Sequence, residues 1–311
     1  VADASTPILH HYPTSPFSEK VRLVMGLKEL AWGSVEIPVI MPKPDLTPLT
    51  GGYRRTPVMQ IGADVYCDTQ LIVRELERRY PSPSILPEGH DGLAWMLSTW
   101  ADRTFFQITV PVIFGAVGFH VPEAFKRDRE QLSGRPFDTD AMRAMAPMMK
   151  DQWRANVAFI DEALEANPHG WLSGEEAGLV DISAFMNLWF LRNAYRPGYD
   201  AAIAEYDRVE AWTARIEAIG HGKPETLSST EALAIARDAE PEDRGPADPR
   251  EPQGLRTGDL VTVVPDDYGR DPVTGTLVFS TAQEIALERA DPDLGRIVVH
   301  FPRAGYLARR S

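Results

Sequence analysis

One cysteine, Cys67, stands among 311 residues. The chain therefore has no internal disulfide and no cysteine-based zinc site, and a reducing, cytoplasmic setting is the expectation. Long apolar runs are missing too. The longest, over 108–119, is interrupted by Pro111, Gly115 and Gly118, whereas a membrane-spanning helix needs about 20 consecutive apolar residues. The opening VADASTPILHHY has no charged segment followed by an apolar one, so a secretory signal is not expected. Positive charge is scarce: 32 Lys and Arg against 45 Asp and Glu give a net charge of −13, which argues against nucleic acid as a partner. Internal repeats are absent. The neighbouring His10 and His11 would point to opposite faces of a strand, the other histidines are scattered, and no metal site is predicted.

What is present is an ordinary globular composition, 43% hydrophobic and 25% charged, at a length that suggests about two domains. Residues 8–12 read as a short strand. A helical period follows from Ser18, with Val21, Val24, Met25 and Lys28 on one face. Residues 32–40 read as a second strand, and 41–53, rich in Pro, Gly and Thr, as a loop or broken helix. Two strands over 58–61 and 63–67 flank a turn at Gly62, and a helix over 69–80 carries Ile72, Leu76 and Tyr80 on one side. Residues 1–82 thus form one α/β unit. After the stretch 81–89, the pattern is helical: 90–230 read as an all-helical domain, with Pro111 a kink within 94–119. The stretch LVDISAFMNLWFL is apolar on every side and belongs at the centre of a bundle. Residues 231–253 are acidic and rich in proline, the composition of a mobile linker. Beyond them LVTVV, GTLVF, IAL and RIVVHF are strand-like runs separated by PDDYG, DPVTG and DPDLG. Residues 254–311 are expected to form a small all-β module, an SH3-like barrel, with FPRAGY as a contact surface or the whole as a packing domain.

Three local motifs in order carry a family resemblance. TSPFSEKVR places Ser15 before Pro16 at the head of the first helix; Thr56-Pro57 precedes the strand VMQI; Asp68-Thr69 opens the helix TQLIVREL. Together they resemble a glutathione S-transferase, a thioredoxin-like N-terminal domain joined to an all-helical one. GLVDISAF resembles the start of the family's buried helix, with Asp181 kept and Gly178 at the cap. With no cysteine at Ser15 or Ser18, disulfide exchange is not expected. The resemblance stops before residue 230 and says nothing of the β module.

The resemblance implies a glutathione-dependent cytosolic enzyme, a homodimer active in detoxification, that transfers alkyl or aryl groups from a small apolar electrophile to the thiol. Peroxidase, isomerase and dehalogenase activities fall within the same class. It implies that Pro57 is cis and that the backbone of Thr56 pairs with the cysteinyl part of glutathione. Asp68 would take the γ-glutamyl ammonium, while Thr69 and the helix N-terminus take its carboxylate. Phe17 belongs to the same implied site, and Arg54 or Arg55 would meet the glycyl carboxylate. A thiol titrates near about 8.5, so a conjugating enzyme must favour its thiolate. Ser15 would do so by donating its O–H, with Tyr12 the runner-up and Thr14 a further substitute. A plain helix cap is the alternative at Ser15, since Ser-Pro is a good N-cap and N1 pair.

Trp95, Trp100 and Phe106 fall where the family lines its electrophile pocket, although core packing accounts equally for such rings. Asp102 is exposed beside that pocket or reaches a partner's ligand. Cys67 reads as a buried strand residue. A binding or scaffold protein that contacts its partner through the β module is the rival reading.

Overall fold

The computed structural model describes residues 2–311. Its N-terminal unit runs β1 (Ile8–His11), α1 (Pro16–Leu27), β2 (Ala31–Glu36), α2 (Thr47–Thr50), β3 (Val58–Ile61), β4 (Asp64–Cys67) and α3 (Thr69–Arg79). β1 pairs parallel with β2 and antiparallel with β3, and β3 pairs antiparallel with β4. Ile8, Val58, Val65 and Cys67 face one core, while Leu9, Met59, Ile61 and Tyr66 face the other. This is the alternation of a sheet buried on both sides. Expectation and structure agree on this thioredoxin-like unit.

The helical domain comprises α4 (Asp91–Trp100), α5 (Phe106–Val117), α6 (Glu123–Ser133), α7 (Thr139–Ala166), α8 (Leu179–Ala194), α9 (Arg196–Ile203) and α10 (Asp207–Glu217). α8 is buried from Leu179 to Leu188, as its apolar circumference requires. Its N-terminus is held by Asp181, which accepts from Gly178 N, Leu172 N and Trp212 Nε1 at 3.1, 2.8 and 2.8 Å. The kink expected at Pro111 lies elsewhere. Pro111 sits inside α5, and the irregularity is a wide π turn, Ala101–Phe105, between α4 and α5. The wider turn sets Asp102 opposite Lys20 of α1, where a buried ammonium needs a counter-charge.

The last third departs furthest from expectation. β5 (Lys223–Thr226) pairs parallel with β2, and α11 (Ser229–Arg237) occupies part of the stretch read as linker. Ala232 and Ala236 of α11 are fully buried, and Gln60 Nε2 donates to Ala232 O at 2.8 Å. Farther along, Glu242 N donates to Asp64 Oδ2 at 2.8 Å, and Arg244 pairs with Glu75 and Glu284. The segment is pinned rather than mobile.

The strands β6 (Leu260–Pro265), β7 (Val273–Ser280), β8 (Glu284–Asp291), β9 (Gly295–Pro302) and β10 (Tyr306–Arg310) form the β module. Instead of standing apart, it prolongs the first sheet. β9 pairs parallel with β4, giving one ten-stranded sheet of order β10-β6-β7-β8-β9-β4-β3-β1-β2-β5. β9 thereby covers the edge β4 would otherwise present. RIVVHF is nearly continuous in apolar residues because such a strand is buried on both faces.

A buried charge cluster locks this seam. His300 of β9 meets Asp64 Oδ1 at 2.9 Å and Glu284 Oε1 at 2.7 Å, and Tyr66 stacks on its ring. Burial favours neutral imidazole, but the two carboxylates prevail and hold the His300 pKa above its ordinary value.

Candidate functional site

The site grows from the head of α3. Asp68, at φ +75°, is the N-cap; its Oδ1 accepts from Gln70 N at 2.9 Å. Thr69 is buried at the first helical position. Alongside, the Thr56–Pro57 bond is cis, and Lys43 Nζ donates to Thr56 Oγ1 at 2.8 Å and to Arg54 O at 3.2 Å. Burial, aided by nearby Arg129, lowers the Lys43 pKa to about 8. From the helical domain, Asp102 meets Lys20 Nζ at 2.6 Å, and that ammonium also donates to Ser98 Oγ at 2.9 Å. Burial raises the Asp102 pKa against the pull of Lys20.

The β module closes the remaining side. Tyr306 donates its phenol to Asp68 Oδ2 at 3.0 Å and lies 3.1 Å from Tyr53 Oη. Burial, then the neighbouring Asp68 charge, raises the Tyr306 pKa well above the ordinary range. The loop between β6 and β7 crosses to the helical domain. Arg55 Nη2 donates to Asp267 Oδ1 and to Tyr268 O, and its guanidinium lies 4.0 Å over the Tyr268 ring. Arg103 Nη2 meets Asp266 Oδ1 at 2.8 Å, and Gly269 N donates to Leu132 O at 2.6 Å. The cavity left between these groups is about 70 Å³ and is lined by Phe17, Thr56, Asp68, Thr69, Asp102 and Tyr268 among others. Pockets for drug-sized ligands run to roughly 300–1,000 Å³.

Residues 9–84 match the family described as "Glutathione S-transferase, N-terminal domain", and residues 121–215 match "Glutathione S-transferase, C-terminal domain". A GST-like protein from Pseudomonas syringae is 37% identical, over 99% of this chain and 100% of its own, with a TM-score of 0.83. The chain belongs to the glutathione S-transferase family. The Pseudomonas likeness runs through the β module. FtsZ-localized protein A of Caulobacter vibrioides is 26% identical over 187 residues, 58% of this chain and 75% of that protein. A glutathione S-transferase from Rhodospirillum rubrum F11 shares the fold at 23% identity, over 68% of this chain and 88% of its own, with a TM-score of 0.51.

Within this glutathione S-transferase fold, Phe17, Thr56, Pro57, Asp68 and Thr69 all line the cavity. Other expected residues fall outside it. Ser15 is buried as the N-cap of α1; its Oγ accepts from Ser18 N at 3.2 Å, and Ser15 is not in the lining. Tyr12 is half-buried outside the lining, with Lys43 Nζ 5.8 Å from its ring centre. Arg54 turns away to Asp128 of α6 at 2.5 Å, and of the two neighbours it is Arg55 that lines the cavity.

The rings assigned to the electrophile pocket pack elsewhere. Trp95 lies under Arg74, Trp100 stacks on Phe105 and donates to Asn156, and Phe106 packs on Phe17 and Phe190. The helical domain instead presents Thr99, Asp102 and Arg103. Cys67 is fully buried, and burial pushes its thiol pKa up.

Sequence reasoning missed Lys20, Lys43, Tyr268 and Tyr306. Tyr268 lies in the PDDYG turn and Tyr306 in the FPRAGY run, yet no spacing connects either to Asp68.

Proposed function

We propose that this chain is a glutathione-binding protein of the transferase fold whose own β module occupies the substrate cleft, so that it is not a constitutively conjugating enzyme. The observation that carries this reading is the seat of Asp267 and Tyr268 on Arg55, beside a cavity of about 70 Å³ that both residues help line. The glutathione end of the site supports binding. Asp68 offers a carboxylate to an ammonium, and Thr69, at the first position of α3, offers its hydroxyl beside the positive end of the helix to a carboxylate. The kinship with a protein named for its localization with FtsZ supports a role that includes association with a partner. A cytoplasmic setting fits the single buried thiol. Pairing as a homodimer is supported by the exposed Leu93 and Met96 on α4 and Met145, Met148 and Phe159 on α7.

Ser15 favours a second reading, a glutathione transferase acting on a small apolar electrophile. Its hydroxyl accepts one hydrogen bond, which leaves the O–H free to donate to a sulfur. Conjugation of glutathione to a generic aryl halide, followed by absorbance, separates the two readings. The first predicts no rate above the uncatalysed reaction. A rate that Ser15→Ala abolishes contradicts it and establishes the second.

A further inference from the structure

Arg55 is incompletely satisfied where it stands. Its Nη2 alone serves both Asp267 Oδ1 and Tyr268 O, while its Nε is buried without a partner. Other arginines of this chain show what is missing. Arg22 and Arg78 each present Nε and Nη2 side by side to a single glutamate, Glu19 and Glu75 respectively. A free carboxylate arriving at Arg55 could take that same edge with both oxygens, a stronger contact than the loop makes. The loop holds on by few and exposed contacts besides. Arg103 and Asp266 are both partly solvated at their ion pair, where such a pair contributes little, and one backbone bond joins Gly269 to Leu132.

We propose that residues 266–269 form a reversible ionic latch over the cleft, with the Asp267 carboxylate sitting on Arg55 in place of a ligand's carboxylate. The inference rests on the glutathione-binding reading for the identity of that ligand, but the latch is a property of the fold itself. Asp267 supplies the charge, Tyr268 fills the space between the domains, and Gly269 permits the closure. At φ +58° Gly269 is in a conformation side chains rarely adopt. A Cβ there would stand 2.9 Å from Leu132 Cδ1 and 3.0 Å from Arg55 Nε. A small peptide bearing two carboxylates competes for Arg55, and its arrival frees the loop.

The test uses the full chain and its D266N/D267N variant in two arms. Amide hydrogen exchange without ligand reads the latch: residues 266–269 exchange at least tenfold faster in the variant, with β6 and β7 unchanged. Equal exchange in the two proteins overturns the latch. Calorimetric titration with reduced glutathione reads the competition: the variant binds at least tenfold more tightly than wild type. Equal or weaker binding by the variant overturns the competition and makes the loop a wall of the site, while the binding reading stands. Faster exchange with no glutathione binding in either protein upholds the latch and removes glutathione as its competitor. Gly269→Ala is the second variant, since it hinders closure without removing a charge, and the same rise in exchange is expected.

Discussion

Tyr306 donates its phenol to Asp68 Oδ2 at 3.0 Å, across 238 positions of chain. The contact joins the last strand of the β module to the N-cap of α3, the residue on which the candidate site is built. The module is thus part of that site's wall, and removing it changes the site.

Replacing Tyr306 by phenylalanine deletes this donor and leaves the rest of the ring in place. A hydrogen bond to a charged group contributes about 1.5–3 kcal/mol, and the partial exposure of Asp68 places the expected loss at the lower end. Urea unfolding of Tyr306→Phe measures it. An unchanged midpoint contradicts the contact.

Ser15→Ala separates capping from chemistry. Loss of an N-cap costs about 1 kcal/mol, and Ser15→Thr retains the hydroxyl acceptor without placing a charge at this buried position, so threonine should unfold closer to wild type than alanine. Equal stability of wild type and alanine in chemical denaturation speaks against the capping role.

Stability should respond to pH in two opposite ways. His300 has a raised pKa in the fold. Its stabilising contribution is complete below the unfolded value of about 6.5 and is lost as pH rises through the folded one. His10 and His11 are lowered to about 4, first by burial. Their contribution is lost as pH falls from about 6.5 toward 4. Urea midpoints against pH should therefore fall on both sides. His300→Gln should flatten the alkaline side and, by leaving Asp64 and Glu284 without their cation, cost about 3–5 kcal/mol. An alkaline slope that survives His300→Gln contradicts the assignment.

Ending the chain at residue 253 removes β9 and bares the edge of β4, along with the carboxylate of Asp64 that His300 now meets. An open strand edge invites pairing with other chains. The truncated protein is expected to associate, as sedimentation will report. A stable monodisperse product contradicts the view that β9 completes the sheet.

The N-terminal unit was legible because its signals are local. The short strand-like runs at Ile8–His11 and Val58–Ile61, the cap at Asp68 and the pair Thr56-Pro57 all act within a few residues. The partnership of β4 with β9 was not legible, since RIVVHF reads as a strand without saying what lies beside it. For the same reason Tyr268 looked like a turn residue, and Tyr306 like part of a contact surface with no stated partner. The choice between Arg54 and Arg55 was open in the sequence because neighbouring residues diverge in space: one turns to Asp128 and the other to the cleft. Pro111 misled, because a proline within a helix can be absorbed while the helix widens elsewhere, here by the π turn that brings Asp102 to Lys20.

The most direct test of the account is calorimetric titration of the whole chain with millimolar reduced glutathione beside Asp68→Ala. The account predicts saturable binding that the substitution weakens at least tenfold, about 1.4 kcal/mol. No binding, or binding that Asp68→Ala leaves unchanged, would contradict it.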